Sequence, residues 1–538
     1  MKLRPDNASE KQSRGILVAS LYAAVLLGAG FLLFHNLAGR LLWGDESEAA
    51  VLAKNVLKYG YPRTEDGLNH ITLYGATTDN IKANVWTWSP WLQEYLAASS
   101  FKLFGATTWA ARAPFALFGW LSVALLCFTG HRVYHNHWVT LSSTTLLATS
   151  EVFLLHSRQC RYYAVCVFCE ILLMFAVYLL FNRNRQGVLW LALALSLQFY
   201  SNYIVAAANL PVVLAVAVIL FREDKKLGLW LAAGLGFFAL VILPWLIYAE
   251  LWRQIGLSGD HYTPWQKIIY YLSTFQFYFV PLAFALLPLA GWVVRRIRQQ
   301  RVANDQSHTV EIGPKDLPTR IQSRWEMFLV CLVPSYIVAL LISPGCFTRY
   351  LLPVLPVGCL LVAVWVFRYV RWKTVAVAII LFQCTCNGIS IVTGIPFGEK
   401  HPWRFPLAEY IRGFGHYEDR FADVLAFLKK ESHPGETVFV MDPENPIIFY
   451  TGLRVLDGTL LDKTLPDPLP DWILTQSASG TIDQTLDLSP GLASHYERII
   501  LSVPDTDRIG SVPRPEVFQY ETAKNRVPLV IYKKKINP

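Results

Sequence analysis

Charge is scarce in this chain. Asp, Glu, Lys and Arg supply 16% of 538 residues while hydrophobic types supply 54%, and a composition this apolar at this length excludes one soluble core. Familiar soluble chemistry is missing as well. In the segment after about residue 398 no Gly-rich phosphate loop, Ser-centred elbow or His-Glu-x-x-His pattern occurs, which removes the P-loop, α/β-hydrolase and zinc-peptidase readings there. The nine cysteines follow no metal-ligand spacing. Most of them, including Cys166, Cys169 and Cys359, fall inside apolar runs, where cysteine acts as a small buried hydrophobe. The apolar run Ile16 to Leu37 ends without an Ala-x-Ala-like cleavage site, so it reads as a retained first span.

What the chain does contain is a series of long apolar runs. Eleven spans are expected, at about 16–38, 109–130, 138–156, 162–181, 187–201, 203–221, 228–250, 269–294, 325–343, 351–368 and 374–394. Those near Tyr200-Ser201-Asn202-Tyr203 sit at the lower length limit for crossing a hydrocarbon layer of roughly 30 Å. The fold class is thus a polytopic α-helical membrane protein. Its net charge of +9 is carried largely by Lys and Arg between alternate runs, which marks those connections as cytoplasmic. Nucleic acid is not implied as a partner. An odd span count then puts the C-terminus outside, together with a first outer loop over 40–108. Residues 1–397 read as the membrane domain. Residues 398–538 read as a small α/β domain with strands near 437–441, 454–456, 472–475, 498–502 and 528–533, suited to a lid, docking or structural role.

The first outer loop opens with Trp43-Gly44-Asp45-Glu46-Ser47-Glu48. Adjacent carboxylates at a membrane boundary are costly, and function often explains them. After them Ala49, Leu52, Ala53, Val56 and Leu57 form a helical stripe, with Lys54 and Lys58 off it, as in a helix lying on the interface. A second amphipathic stretch follows at Trp86 to Phe104. The alternative for the acidic pair is capping, because Asp45-x-x-Glu48 has the spacing of a capping box.

The stretch Leu42-Trp43-Gly44-Asp45-Glu46-Ser47-Glu48-Ala49, placed directly after the first span, resembles the acidic motif of the C-type (GT-C) membrane glycosyltransferases that use polyprenyl-phosphate sugars. It is similar to protein O-mannosyltransferases and to the bacterial aminoarabinose transferases of lipid A. The outer turn Ser157 to Tyr163, the stretch Thr348 to Pro353 and the layout of spans plus an outer C-terminal domain share the resemblance. It implies an inverting transferase acting on the outer face, in bacteria the periplasmic side of the inner membrane, with a lipid, protein or glycan acceptor and membrane lipids as further partners. Asp45 matches the catalytic aspartate, with Glu46 orienting it or the acceptor.

The chemistry asks for the same residue types. A lipid phosphate already leaves well, so a carboxylate must take the acceptor proton and cations must hold the departing phosphate. Arg158, Arg161, Arg349, Tyr350 and Lys82 are the candidates for the phosphate. Snorkelling to lipid headgroups is the competing role for the arginines. Glu151 and Glu170 fall inside spans and either pair with these arginines or line the donor cavity; His261 is a further supporting candidate. No cofactor and no catalytic metal are expected, since Asp45, Glu46 and Glu48 lie too close in sequence to build an oxygen cage. A transporter, or a polymerase or ligase of lipid-linked glycans, is the alternative function.

Overall fold

The computed structural model describes residues 8–71, 84–254, 262–304, 319–343, 345–395, 401–414, 420–440, 444–457, 465, 467–474, 490–504 and 525–535. Two compact units make up the chain. One comprises Met1–His35, Ala116–Arg158 and Tyr162–Ile411; the other comprises Asn36–Phe115, Gln159–Arg161 and Arg412–Pro538.

The first unit is helical. Among the described residues, seven helices are long and apolar enough to cross a membrane: Gly15–Phe34, Thr108–Tyr134, Tyr163–Phe181, Tyr203–Glu223, Lys225–Tyr248, Arg320–Leu340 and Thr348–Tyr369. The number rises to 10 if three bent pairs each count as one span: His137–Thr149 with Glu151–Ser157, Pro264–Phe279 with Leu282–Val294, and Lys373–Thr385 with Gly388–Gly394. These correspond to ten of the eleven expected spans. The remaining one is the helix Gln186–Ser201, only 16 residues long, about 24 Å at 1.5 Å per residue. Asn202 ends it with extended backbone and caps the next helix, its side chain accepting from Ile204 and Val205 N–H. The two helices Tyr163–Phe181 and Gln186–Ser201 pack closely enough that a Cβ on Gly187 would lie 2.7 Å from Ala176 O, which explains glycine there.

The second unit joins the first loop to the C-terminal sheet. Its strands are β1 (Thr437–Val440), β2 (Arg454–Asp457), β3 (Trp472–Leu474), β4 (Tyr496–Pro504) and β5 (Arg526–Lys534), in the order β2-β1-β3-β5-β4. β1 runs parallel to β2 and β3, whereas β5 is antiparallel to β3 and β4. All five lie where the sequence predicts strands. Alternation sorts their side chains. Val438 and Val440 pack with Trp472 and Ile531 under the helix Arg420–Glu431, while Phe439, Ile473 and Tyr532 face the opposite side.

The acidic helix Gly44–Tyr59 packs against both Leu92–Phe104 and Glu444–Thr451. Burial therefore extends well beyond the predicted stripe and covers Glu46 through Ala53. Lys54, expected to point away, donates to Phe449 O at 2.6 Å and lies 4.2 Å from the Phe449 ring centroid. Tyr450 ties the same segment down: its hydroxyl accepts from Leu42 N–H at 2.9 Å and hydrogen-bonds Thr108 Oγ1 at 2.8 Å.

A second tether comes from Asn69. Asp66 Oδ1 accepts from Leu68 and Asn69 N–H, both at 2.7 Å, and so fixes the turn. The Asn69 amide then donates to Leu453 O at 3.0 Å and accepts from Val455 N–H at 2.7 Å, completing the backbone pairing at the edge of β2. Asn69→Ala leaves one buried and one part-buried backbone group without its side-chain partner, at about 1–3 kcal/mol for the buried one. The expected outcome is a lower thermal midpoint of the detergent-purified protein; an unchanged midpoint contradicts the tether.

Candidate active site

The acidic helix starts two residues earlier than capping by Asp45 requires. Trp43 occupies the N-cap position and Asp45 lies in the first turn, so no Asp45-x-x-Glu48 capping box forms. Glu46 is the residue that reaches back, its Oε2 accepting from Trp43 N–H at 3.4 Å. Most of its carboxylate is engaged elsewhere. Arg112 donates from Nε to Oε1 at 2.8 Å and from Nη2 to Oε2 at 2.6 Å, a two-pronged pair. The same guanidinium donates to the carbonyls of Leu37, Arg40 and Leu41 at 2.8–3.0 Å. Cys160 N–H gives Glu46 Oε1 one more bond, at 2.7 Å. Glu46 is wholly buried and Arg112 nearly so. Together they fix the chain entering the motif.

Asp45, beside this clamp, keeps a side chain 33% exposed. Arg161 lies next to it, with Nη2 3.8 Å from Asp45 Oδ2 and Nη1 donating to Asp45 O and to Glu48 Oε1 at 3.1 Å. One arginine thus serves two carboxylates. Burial pushes the Glu48 carboxyl up to about 7 against the attraction of Arg161, and Asp45 adds to the rise. Glu94 shares the neighbourhood. Its Oε1 accepts from Gln93 Nε2 at 2.8 Å, its buried Oε2 has no hydrogen-bond partner, and burial pushes it up to about 8. Among the described residues, no group of three or more His, Cys, Asp or Glu is arranged to hold a metal ion.

The other expected residues belong to the helical unit or lie outside the described residues, as Lys82 and His261 do. Arg158 donates to Tyr410 OH at 2.8 Å and His35 O at 2.6 Å. Glu151 pairs with Arg404, at 2.9 Å, and Arg404 also bonds Glu409. Glu170 has no arginine among its hydrogen-bond partners; Gln198, Asn209 and Tyr336 surround it. Arg349 and Tyr350 line a small cleft with Tyr162, Tyr163 and Asn202. The Arg349 guanidinium stacks 4.4 Å from the Phe347 ring centroid. The turn bearing them is held from beneath: Lys267 donates to Leu341 O and Ser343 O, and Tyr271 donates to Gly345 O.

Sequence reasoning passed over Arg112 and Glu94. Arg112 lies just inside the predicted span 109–130, and a cation there calls for a buried partner; that was the available signal. Glu94 carried none, since an acidic residue within an amphipathic stretch is ordinarily solvated. Its buried carboxyl has a consequence for pH. A folded value raised from 4.5 to about 8 gives stability that is complete below 4.5 and lost as pH rises through 8. Wild type is expected to lose thermal midpoint between those limits, and Glu94→Gln to flatten the profile. Parallel profiles for the two proteins contradict the assignment.

Comparison with known proteins agrees with this architecture. Residues 89–248 match the family model described as dolichyl-phosphate-mannose-protein mannosyltransferase. ArnT from Cupriavidus metallidurans in the apo state aligns over 96% of this chain and 97% of its own, with a TM-score of 0.54 and 14% identity. The same protein bound to undecaprenyl phosphate aligns over the same shares with a TM-score of 0.53 and 14% identity. An uncharacterized protein of Aquifex aeolicus (strain VF5) is 24% identical over 290 residues, 52% of this chain, and the chain spans about half, 55%, of that relative's length. The resemblance read from the acidic motif is borne out at the level of architecture: this integral membrane protein has the C-type (GT-C) glycosyltransferase fold.

Proposed function

We propose that the chain transfers a sugar from a polyprenyl-phosphate donor to a hydroxyl or phosphate of a lipid, protein or glycan acceptor on the outer face of the membrane, in bacteria the periplasmic face. The acceptor oxygen attacks the anomeric carbon as the bond to phosphate breaks, inverting the configuration. The bonding pair leaves with the lipid phosphate. Asp45 takes the acceptor proton. The observation that carries this reading is the contrast within the motif, where Glu46 and Glu48 are buried and paired while Asp45 keeps a third of its side chain exposed.

Arg349 and Tyr350 are the favoured contacts for the donor phosphate, because they line a cleft and a guanidinium fork matches phosphate oxygens. Arg158 and Arg161 contribute positive charge whose hydrogen bonds go largely to protein groups. The similarity to a protein whose structure holds undecaprenyl phosphate supports a polyprenyl phosphate as the donor carrier.

A positioned general base contributes about 10²–10⁴-fold. Asp45→Asn is therefore expected to lower transfer by at least about a hundredfold with the thermal midpoint preserved, measured on polyprenyl-phosphate sugars with products identified by mass spectrometry. Near-wild-type turnover contradicts the role. Arg349→Lys retains charge without the fork and is expected to be intermediate, with Arg349→Ala severe. Full activity of Arg349→Ala removes the phosphate from this cleft.

A further inference from the structure

Four side chains meet in the interior of the helical unit, each from a different helix. Glu170 lies on Tyr163–Phe181, Gln198 on Gln186–Ser201, Asn209 on Tyr203–Glu223 and Tyr336 on Arg320–Leu340. All four are completely buried. Glu170 Oε2 accepts from Tyr336 OH at 2.7 Å, Asn209 Nδ2 at 2.6 Å and Gln198 Nε2 at 3.0 Å, and Asn209 Nδ2 also donates to Gln198 Oε1 at 3.1 Å. Glu170 has no Lys, Arg or His among these partners. What the cluster uses is an acceptor oxygen.

The cluster has a fixed relation to the cleft of Arg349. Cys166, Asn202, Val205 and Leu340 line that cleft, and each stands four residues, about one helical turn, from a member of the cluster. The pairs are Cys166 with Glu170, Asn202 with Gln198, Val205 with Asn209, and Leu340 with Tyr336. The direction alternates too. Going from cleft to cluster the numbering rises on Tyr163–Phe181 and Tyr203–Glu223 and falls on Gln186–Ser201 and Arg320–Leu340. The four hydrogen-bonded side chains therefore form one layer, a turn beneath the cleft. Buried side-chain hydrogen bonds between membrane helices help set how the helices approach.

We propose that Glu170 is a positioning residue for the cleft: by accepting from Gln198, Asn209 and Tyr336 it sets the spacing of four helices and so the shape of the headgroup site that Arg349 faces. The proposal rests on reading the cleft as the donor-phosphate site. It predicts that an acceptor oxygen is required at position 170 and that a negative charge is not. Glu170→Gln keeps the oxygen; Glu170→Leu fills the space without it.

The test is binding of undecaprenyl phosphate to the full chain in detergent micelles, followed by native mass spectrometry, with thermal midpoints recorded for each variant. Glu170→Gln is expected to bind as wild type. Glu170→Leu, which removes the acceptor of three hydrogen bonds, is expected to bind at least roughly tenfold more weakly. Tyr336→Phe, which deletes a single donor and almost no volume, is expected to weaken binding severalfold and decides the matter if the Leu variant does not fold. Equal loss in Gln and Leu variants overturns the proposal, as does wild-type binding by Tyr336→Phe. Arg349→Ala separates the two readings. If it binds as wild type, the cleft is not the phosphate site; if it loses binding while Tyr336→Phe does not, the cleft reading stands and the positioning role falls.

Discussion

The pair between Arg112 and Glu46 is the constraint on which the acidic site depends. Two charges taken out of water cost several kcal/mol each and are repaid only by near-complete hydrogen bonding. Here the requirement is met: Glu46 accepts from Arg112 twice and from Cys160 N–H, and Arg112 serves three backbone carbonyls besides. This pair consequently fixes Leu37 to Leu41, the first turn of the acidic helix and the turn at Cys160. Removing either partner leaves a buried charge alone, a loss of about 3–5 kcal/mol. Glu46 thus holds the backbone that carries Asp45.

From that anchor the electrostatics of the loop follow. With Arg112 paired to Glu46, Arg161 lies against both Asp45 and Glu48. Burial then favours the neutral form of Glu48 and Glu94, while Asp45, the most exposed of them, stands at the first turn of a helix, where the dipole favours an anion.

Much of this was legible in the chain, because the signals involved are local. Apolar runs marked ten of the spans, and the polar break at Tyr200 to Tyr203 marked the place where Asn202 ends one helix and caps another. Short β-prone runs located all five strands. What stayed hidden depends on distant residues: Lys54 looked solvent-facing until Phe449 covered it, Glu151 found Arg404, and Glu170 met three neutral partners. Nor does helical periodicity show that the first loop shares a compact unit with a segment more than three hundred residues later. Such pairings are decided by tertiary packing and leave no periodic trace.

The central claim is a single displacement at an anomeric carbon with Asp45 as the base. Nuclear magnetic resonance of the product formed by the purified chain from a polyprenyl-phosphate sugar of known anomeric configuration tests it most directly. Inversion, in detergent and without any ion gradient, is the predicted result. A product that retains the donor's configuration contradicts the account.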